Sequence, residues 1–322
     1  MPANQDKWLA IVNPVSGGGR GSKAWPEIYK LLRDNDIVPE CLLTEYKYHA
    51  IELTVNAINE GFRKILVVGG DGTLHEVVNG LFLQQAVPAT DITIGVVSVG
   101  TGNDWGRTYN FPHEYGQAVE TILAGRFFLQ DVGLVRYRES GYGQSRYIVN
   151  VAGFGFDSFV IEQYDLLKEK GKTGKLIYIW SLLKALITYR SSSVSISVDG
   201  QQTVNEVIFS AAVGIGRYNG GGMMQLPLAH PADGLLDLTT IRRISRLRVI
   251  RNLGSLFNGT LYNVREVLHH RGRHIKVEGK PDIVLEADGE ILGNGPFEFE
   301  IVEKGIKVIV PEEFLQSDKS TL

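Results

Sequence analysis

The chain has 322 residues, 43% of them hydrophobic and 21% charged, a composition that excludes a disordered chain and leaves room for more than one core. Its formal net charge of −3 excludes a global attraction to nucleic acid or to an anionic bilayer, so no nucleic-acid partner is expected and any such contact needs a local patch. The single cysteine, Cys41, excludes an intramolecular disulfide and a cysteine-based zinc cluster and favours a reducing compartment.

The opening residues MPANQDKWLA lack the basic and apolar regions of a secretory leader. The longest apolar stretch, Leu176 to Tyr189, has 14 residues with Lys184 near its middle. A bilayer span needs roughly 20 residues, so a cytoplasmic protein is expected.

From Lys7 to about Gln130, strand-like runs alternate with helix-like stretches. WLAIVN is followed by a glycine-rich loop and a helix from about Lys23 to Arg33, then ECLLTE and a helix from His49 to Asn59. KILVVGGDG precedes a helix from Thr73 to Phe82, and ITIGVVSV precedes a polar loop and a helix from about Glu114 to Leu123. Alternation of this kind, with unbroken Val/Ile/Leu runs, predicts a parallel sheet covered on both faces, a Rossmann-like α/β domain.

After Asp131 the pattern changes to short period-two strands bounded by Gly, Asn and Asp: RYIVNVAG, SVSISVDG, EVIFSAAVGI, GLLDLTTI, HIKVEG, DIVLEADGE and FEFEIV. Such spacing predicts a β-sandwich. Helical insertions are expected at Asp157 to Tyr189 and Ser245 to Phe257. The final run IKVIV before Pro311 is read as returning to the first domain, giving domains of residues 1–131 with 306–322 and of residues 132–305. The second domain then carries +3 and the first −6. Arg242, Arg243, Arg246, Arg248 and Arg251, interleaved with Ile244, Leu247, Ile250 and Leu253, read as a basic amphipathic helix, either a solvated face or a membrane-surface contact.

Three loops carry the chemistry. Gly69-Gly70-Asp71-Gly72-Thr73 stands between a strand and a helix, where glycines allow close backbone approach and a helix N-terminus favours phosphate. Asp71 would repel phosphate unless a cation bridges them, so Mg²⁺ is expected nearby. The alternative is a βα turn that serves the fold. Asn13 to Gly21 follows the first strand but fails both the Walker A and the G-x-G-x-x-G patterns, so neither a P-loop NTPase nor a dinucleotide dehydrogenase is supported. Gly100-Thr101-Gly102-Asn103-Asp104 follows the fourth strand and supplies a hydroxyl, an amide and a carboxylate at the same sheet edge. Asp288-Gly289 and Asp233-Gly234 each read, taken alone, as turns.

NPVSGGG, GGDGTLHEVVNG, GTGNDWGR, GFGFD, HPADGLLDL and DGE occur in this order along almost the whole chain. The set resembles the diacylglycerol kinase catalytic-domain family, in particular its soluble bacterial lipid kinases, with sphingosine, ceramide and NAD kinases as more distant relatives. The resemblance implies a phosphofructokinase- or NAD kinase-like N-terminal domain that binds ATP, a C-terminal β-sandwich, an active site between the two, and transfer of the ATP γ-phosphate to a lipid hydroxyl. It further implies that Asn13, Thr44, Gly69, Gly70, Asp71, Gly72, Thr73 and Thr101 contact nucleotide and that Asp288 is the catalytic base. Asp233, with the carbonyls of His230 and Leu235, matches the family's Mg²⁺ site, while Asp71 and Asp104 complete an aspartate network around metal and phosphate. Trp105 replaces the family's usual Phe and is expected to pack under its loop, and the stretch before Gly234 offers one aspartate where relatives often have two. His269, His270 and His274 are read as solvated strand-end residues, and His75 as a lining residue rather than a base.

The leading expectation is therefore an ATP- and Mg²⁺-dependent lipid kinase at a membrane surface, with the acceptor among diacylglycerol, phosphatidylglycerol, a sphingoid base or ceramide. A soluble-metabolite kinase of the NAD kinase type and a nucleotide-binding regulatory protein without turnover are the alternatives.

Overall fold

The computed structural model describes residues 4–168, 175–280 and 282–319. The chain divides into two units, Met1–Asp131 with Glu303–Leu322, and Val132–Val302.

The first unit runs β1 (Trp8–Val12), α1 (Ser16–Arg33), β2 (Glu40–Leu43), α2 (His49–Asn59), β3 (Lys64–Gly69), α3 (Asp71–Leu83), β4 (Thr93–Ser98), α4 (Asp104–Thr108) and α5 (Tyr115–Ala124). Its strands are parallel in the order β2-β1-β3-β4. Consecutive residues of β1 and β3 are buried, because each pleat face packs on something apolar. Ala10, Val12, Leu66 and Val68 meet Ala24, Ile28 and Leu32 of α1 and Ala118, Val119 and Ile122 of α5. A parallel sheet places all its strand ends alike, so the loops after β1, β3 and β4 leave from one edge.

Two helices begin earlier than their periodicity suggests. Helix α1 opens at Ser16 through Gly17, Gly18 and Gly19, all with positive φ, a left-handed entry that side-chain-bearing residues resist. Helix α3 opens at Asp71 rather than Thr73, with the carboxylate in its first turn where the helix dipole favours it.

The second unit follows with β5 (Phe127–Glu139), whose first residues belong to the first unit, then β6 (Tyr142–Ile148), β7 (Val151–Gly155), α6 (Phe156–Lys168), α7 (Lys175–Thr188), β8 (Ser192–Val198), β9 (Gln201–Gly214) and β10 (Leu236–Arg242). It continues through α8 (Arg246–Asn252), β11 (Val267–Gly272), β12 (His274–Lys280), β13 (Val284–Ala287) and β14 (Glu290–Ile309). Strand pairs within this unit are antiparallel. The inward residues of β5 to β10 and of β12 to β14, among them Val135, Phe154, Ile196, Val213, Leu238, Val277, Leu285 and Phe297, form one core.

Several local expectations change. RYIVNVAG is two strands, β6 and β7, separated at Val149 and Asn150, and β11 has no counterpart in the period-two reading. FEFEIV and IKVIV are one strand, β14, whose last residues lie parallel to β4 with Lys307 opposite Thr93 and Val308 opposite Ile94. Helix α9 (Glu312–Lys319) follows it. The expected insertion from Asp157 to Tyr189 contains helices α6 and α7, and residues 169–174 of it lie outside the described residues. Among the described residues no helix is long and apolar enough to cross a membrane.

Candidate functional site

In the first unit the three loops meet. The Asn13 side-chain amide donates to the Thr73 hydroxyl at 3.0 Å, tying the β1 loop to the β3 loop. Arg20 donates to the carbonyls of Gly17 and Gly100, tying the β1 loop to the β4 loop. The Asp71 carboxylate accepts the main-chain N–H groups of Asp104 and Trp105, each at 3.1 Å, so a residue of α3 caps the first turn of α4. This convergence depends on missing side chains. A Cβ on Gly100 would stand 2.6 Å from the Gly70 Cα, and one on Gly69 would stand 2.4 Å from the Thr73 hydroxyl.

Of the residues the sequence assigns to nucleotide, Asn13, Gly69, Gly70, Asp71, Gly72 and Thr73 therefore form one group with Asp104, and Thr101 is exposed beside it. Thr44 lies just after β2, where its N–H donates to the Val12 carbonyl at 2.9 Å, beside the end of β1. Trp105 is buried, packs its ring at a tilt against Tyr109 and Phe111, and donates its indole N–H to Gln130 at 2.8 Å. His75 is fully buried within α3, part of the interior rather than a loop lining.

The two acidic sets named for Mg²⁺ differ. One oxygen each of Asp71 and Asp104 lies 3.3 and 3.2 Å from the point where a Cβ on Gly102 would stand. The Arg107 guanidinium pairs with the other Asp104 oxygen at 3.3 Å, and the two oxygens that converge on Gly102 suit a divalent cation that keeps waters and takes further oxygens from phosphates. In the other set, Asp233 accepts the Leu235 N–H at 3.1 Å and pairs its second oxygen with the Arg271 guanidinium. Arg271 also reaches the fully buried Asp237, to which His269 is bonded at 2.8 Å. His230 accepts the Ala232 N–H through its ring. A guanidinium thus pairs with the carboxylate assigned to the metal, as Arg107 does with Asp104 in the other set. Among the described residues the histidines of β11 and β12 do not gather into a site: His269 stacks on Tyr262, His274 bonds Glu298 at 2.7 Å and the His270 Nε2 is buried, so none is a solvated strand end.

Asp288 and Gly289 form the β13–β14 turn, both with positive φ as a tight hairpin requires. The Asp288 carboxylate accepts the N–H groups of Val149, Asn150 and Val151 at 2.9 to 3.1 Å. It is buried, and it holds the chain where β6 gives way to β7.

The same unit contains an apolar cavity of about 250 Å³, lined by α6, α7, α8 and the ends of β9 and β10. Phe156, Val160, Leu186, Phe209, Ile241 and Val249 form much of its wall. Asp157, Ser210, Asn219, Gln225 and Glu286 supply polar surface at one side, and Asn252 and Ser255 also line it. Burial raises the Glu286 carboxyl to about 8, helped by the charge of Asp157 and opposed by the Asn219 amide. Burial likewise raises Asp157 to about 6, opposed by Ser210 and Gln225.

Residues 7–135 match the diacylglycerol kinase catalytic domain, and residues 150–310 match the YegS C-terminal NAD kinase beta sandwich-like domain. The chain belongs to the diacylglycerol kinase family. It is a lipid kinase, with a two-domain architecture whose C-terminal part is sandwich-like. A Mycobacterium tuberculosis protein named diacylglycerol kinase is 28% identical over 305 residues, covering 95% of each chain. A Bacillus subtilis protein of the same name is also 28% identical, covering 94% of this chain and 96% of its own. A crystal structure of a diacylglycerol kinase from Bacillus anthracis shares the fold with a TM-score of 0.72 at 22% identity, covering 96% of this chain and 98% of that one. An Archaeoglobus fulgidus NAD kinase solved with ATP matches at a TM-score of 0.51 and 12% identity, over 97% of both chains.

For this lipid kinase, sequence reasoning missed Arg20, Arg271 and Glu286. Arg20 sat inside a motif read for its glycines, and Arg271 in a strand that was not foreseen. Glu286 stands two residues before Asp288 in DIVLEADGE, where period-two reading marks an outward position, yet it is 1% exposed. Its neighbours Leu285 and Ala287 lie in the core, so Glu286 does keep the opposite face, and it is buried because α6 and the cavity cover that face.

Proposed function

We propose that the protein transfers the γ-phosphate of ATP to the hydroxyl of a diacylglycerol-like lipid, with Mg²⁺ held by Asp71 and Asp104. The observation that carries the lipid acceptor is the cavity in the second unit, whose wall is almost entirely apolar and whose volume suits hydrocarbon rather than a charged dinucleotide. In the first unit, the N–H groups at the start of α3 and the glycine backbones of the three loops bind and orient phosphate. Asn13 and Arg20 hold those loops in register, so the phosphate-binding backbone is organised before substrate arrives. When bound, Mg²⁺ supplies charge neutralisation for the transferred phosphate. Asp288 is the proposed acceptor of the lipid hydroxyl proton, and its three main-chain partners keep the carboxylate in one orientation.

The rim of the cavity suggests how lipid is reached. Leu183 of α7 and Ile250 of α8 line the cavity and are exposed, as are Trp180, Ile187 and Leu247 on the same helices, with Arg243, Arg246 and Arg251 in the α8 segment and Arg248 there paired with Glu266. Arg246 caps the chain end of α7 through the Ile187 carbonyl. An apolar face with interspersed arginines suits peripheral contact with anionic lipid at the inner membrane face. Co-sedimentation with anionic liposomes that is indifferent to Arg243→Glu and Arg246→Glu would remove this part of the reading.

Transfer of labelled γ-phosphate from ATP to a total lipid extract in mixed micelles, beside NAD and a lipid-free control, tests the reaction. Labelled lipid supports the proposal, label on NAD moves the protein to the soluble-metabolite kinases, and no label with retained ATP binding supports a regulatory protein.

A further inference from the structure

The sequence motif GFGFD has so far no role in the reaction, yet the structure places its aspartate on the cavity surface beside a second carboxyl that no motif marks. Asp157 begins α6, and Glu286 comes from β13. The two converge on Gly153 of β7. A Cβ there would stand 2.8 Å from a Glu286 oxygen, 3.0 Å from the Asp157 Cβ and 3.3 Å from an Asp157 oxygen. A glycine at this place lets both acids reach the same spot.

Each acid is held by neutral donors. Asn219 donates to Glu286 at 3.2 Å, the Gly289 N–H donates to its other oxygen at 3.2 Å, and Gln225 donates to Asp157 at 3.0 Å. Among the described residues no Lys or Arg lines the cavity. Two carboxyls beside one glycine in an apolar enclosure cannot both carry charge cheaply, so ionisation of one keeps the other protonated. The values of about 8 for Glu286 and about 6 for Asp157 agree with that geometry.

We infer that the Asp157–Glu286 pair is a recognition site for the polar end of the acceptor lipid, taking a headgroup that donates hydrogen bonds and bears no negative charge. A singly protonated pair accepts hydrogen bonds through its ionised oxygens and donates one, which matches a hydroxyl or an ammonium group. It repels a phosphate, because an anion in the same enclosure would face uncompensated negative charge. Of the four acceptors the sequence leaves open, phosphatidylglycerol is thereby excluded, and the neutral and cationic ones remain. This inference rests on the lipid-kinase reading for its context, but its test needs no turnover.

The test is calorimetric binding to the full chain, without ATP, below the micellar concentration of each probe. Dioctanoylglycerol, its analogue lacking the free hydroxyl, dioctanoyl phosphatidic acid and an eight-carbon amino diol are compared on wild type, on Glu286→Leu and on the double variant Asp157→Asn with Glu286→Gln. Wild type is expected to bind dioctanoylglycerol or the amino diol about 10- to 100-fold more tightly than the deoxy analogue, since losing the donor strands a buried acceptor. Which of those two binds more tightly identifies the headgroup. Glu286→Leu should bind dioctanoylglycerol and its deoxy analogue alike, and the double variant, which removes charge while keeping volume, should regain affinity for phosphatidic acid. Equal wild-type affinity for the deoxy analogue or for phosphatidic acid would overturn the inference, as would a natively folded double variant with an unchanged ranking. Phosphorylation failing while this ranking holds would count against the kinase reading alone.

Discussion

Each unit of the molecule brings two carboxylates together at a glycine, and the two pairs are built from opposite materials. Asp71 and Asp104 meet at Gly102 in a cluster of glycine loops, with Asp71 bonded to the main-chain N–H groups that begin α4. Asp157 and Glu286 meet at Gly153 in an apolar enclosure, bonded mainly to side-chain amides. Main-chain dipoles at a helix start offset negative charge and leave a pair suited to a cation. An apolar wall penalises charge and leaves a pair that keeps a proton. Geometry alike at the carboxylates thus leads to different chemistry, decided by what surrounds them.

The largest expected effect lies outside both pairs. Asp288→Asn should lower turnover by about 10²- to 10⁴-fold if the carboxylate takes the lipid proton, with nucleotide affinity retained. The amide would also place a donor against main-chain donors, so a loss of about 1–3 kcal/mol in urea unfolding is expected alongside. Full turnover in this variant would end the base assignment.

The next sharpens the second pair. Glu286 holds its proton up to about 8 when folded, against an ordinary value of 4.5, so the folded state binds more protons than the unfolded one between those values. Stability should therefore fall as pH rises from 4.5 to 8, by up to roughly 4–5 kcal/mol. Glu286→Gln cannot ionise. Its unfolding free energy should lose that slope and exceed the wild-type value above pH 8, as denaturant titrations across pH would show.

The first pair is probed through its loops. Gly100→Ala would drive a Cβ to within 2.6 Å of the Gly70 backbone, a clash that moves one loop off the other. A penalty of about 1–3 kcal/mol should appear as weaker ATP binding by isothermal titration, while lipid binding to the second unit is unaffected. Equal loss of both ligands would show that the two pairs are not independent.

The smallest effect concerns the cation that stands at Asp233. Arg271→Met should cost about 1–2 kcal/mol, because His269 still satisfies the buried Asp237. Mg²⁺ should then raise the melting temperature of the variant more than that of wild type. No difference between them would deny the guanidinium its role as a substitute for a metal.

The parallel strands of the first unit, their helices and the three loops were legible because period, glycine and strand order are local signals. Asn13, Asp71 and Thr73 were named from such signals, and they are joined by hydrogen bonds. The β13–β14 turn was equally legible, since Asp-Gly between strands specifies a positive-φ hairpin. Less could be read where one residue's role depends on a distant strand. Arg271 neutralises Asp233 and Asp237 across β10 and β11, and nothing near HPADGLLDL announces it. Glu286 sits on the outward face of an alternating strand, and only the packing of α6 over that face buries it.

By itself, then, the sequence determined the class of catalyst, the strand-and-loop order and the residues of the three loops that converge in the first unit, because those depend on ordered motifs and on backbone preferences a few residues long. Only the tertiary structure decided that a guanidinium stands at the expected metal site and that two acids from separate elements close on an apolar cavity. Burial and the apposition of distant strands set those outcomes, and neither is encoded in any short segment.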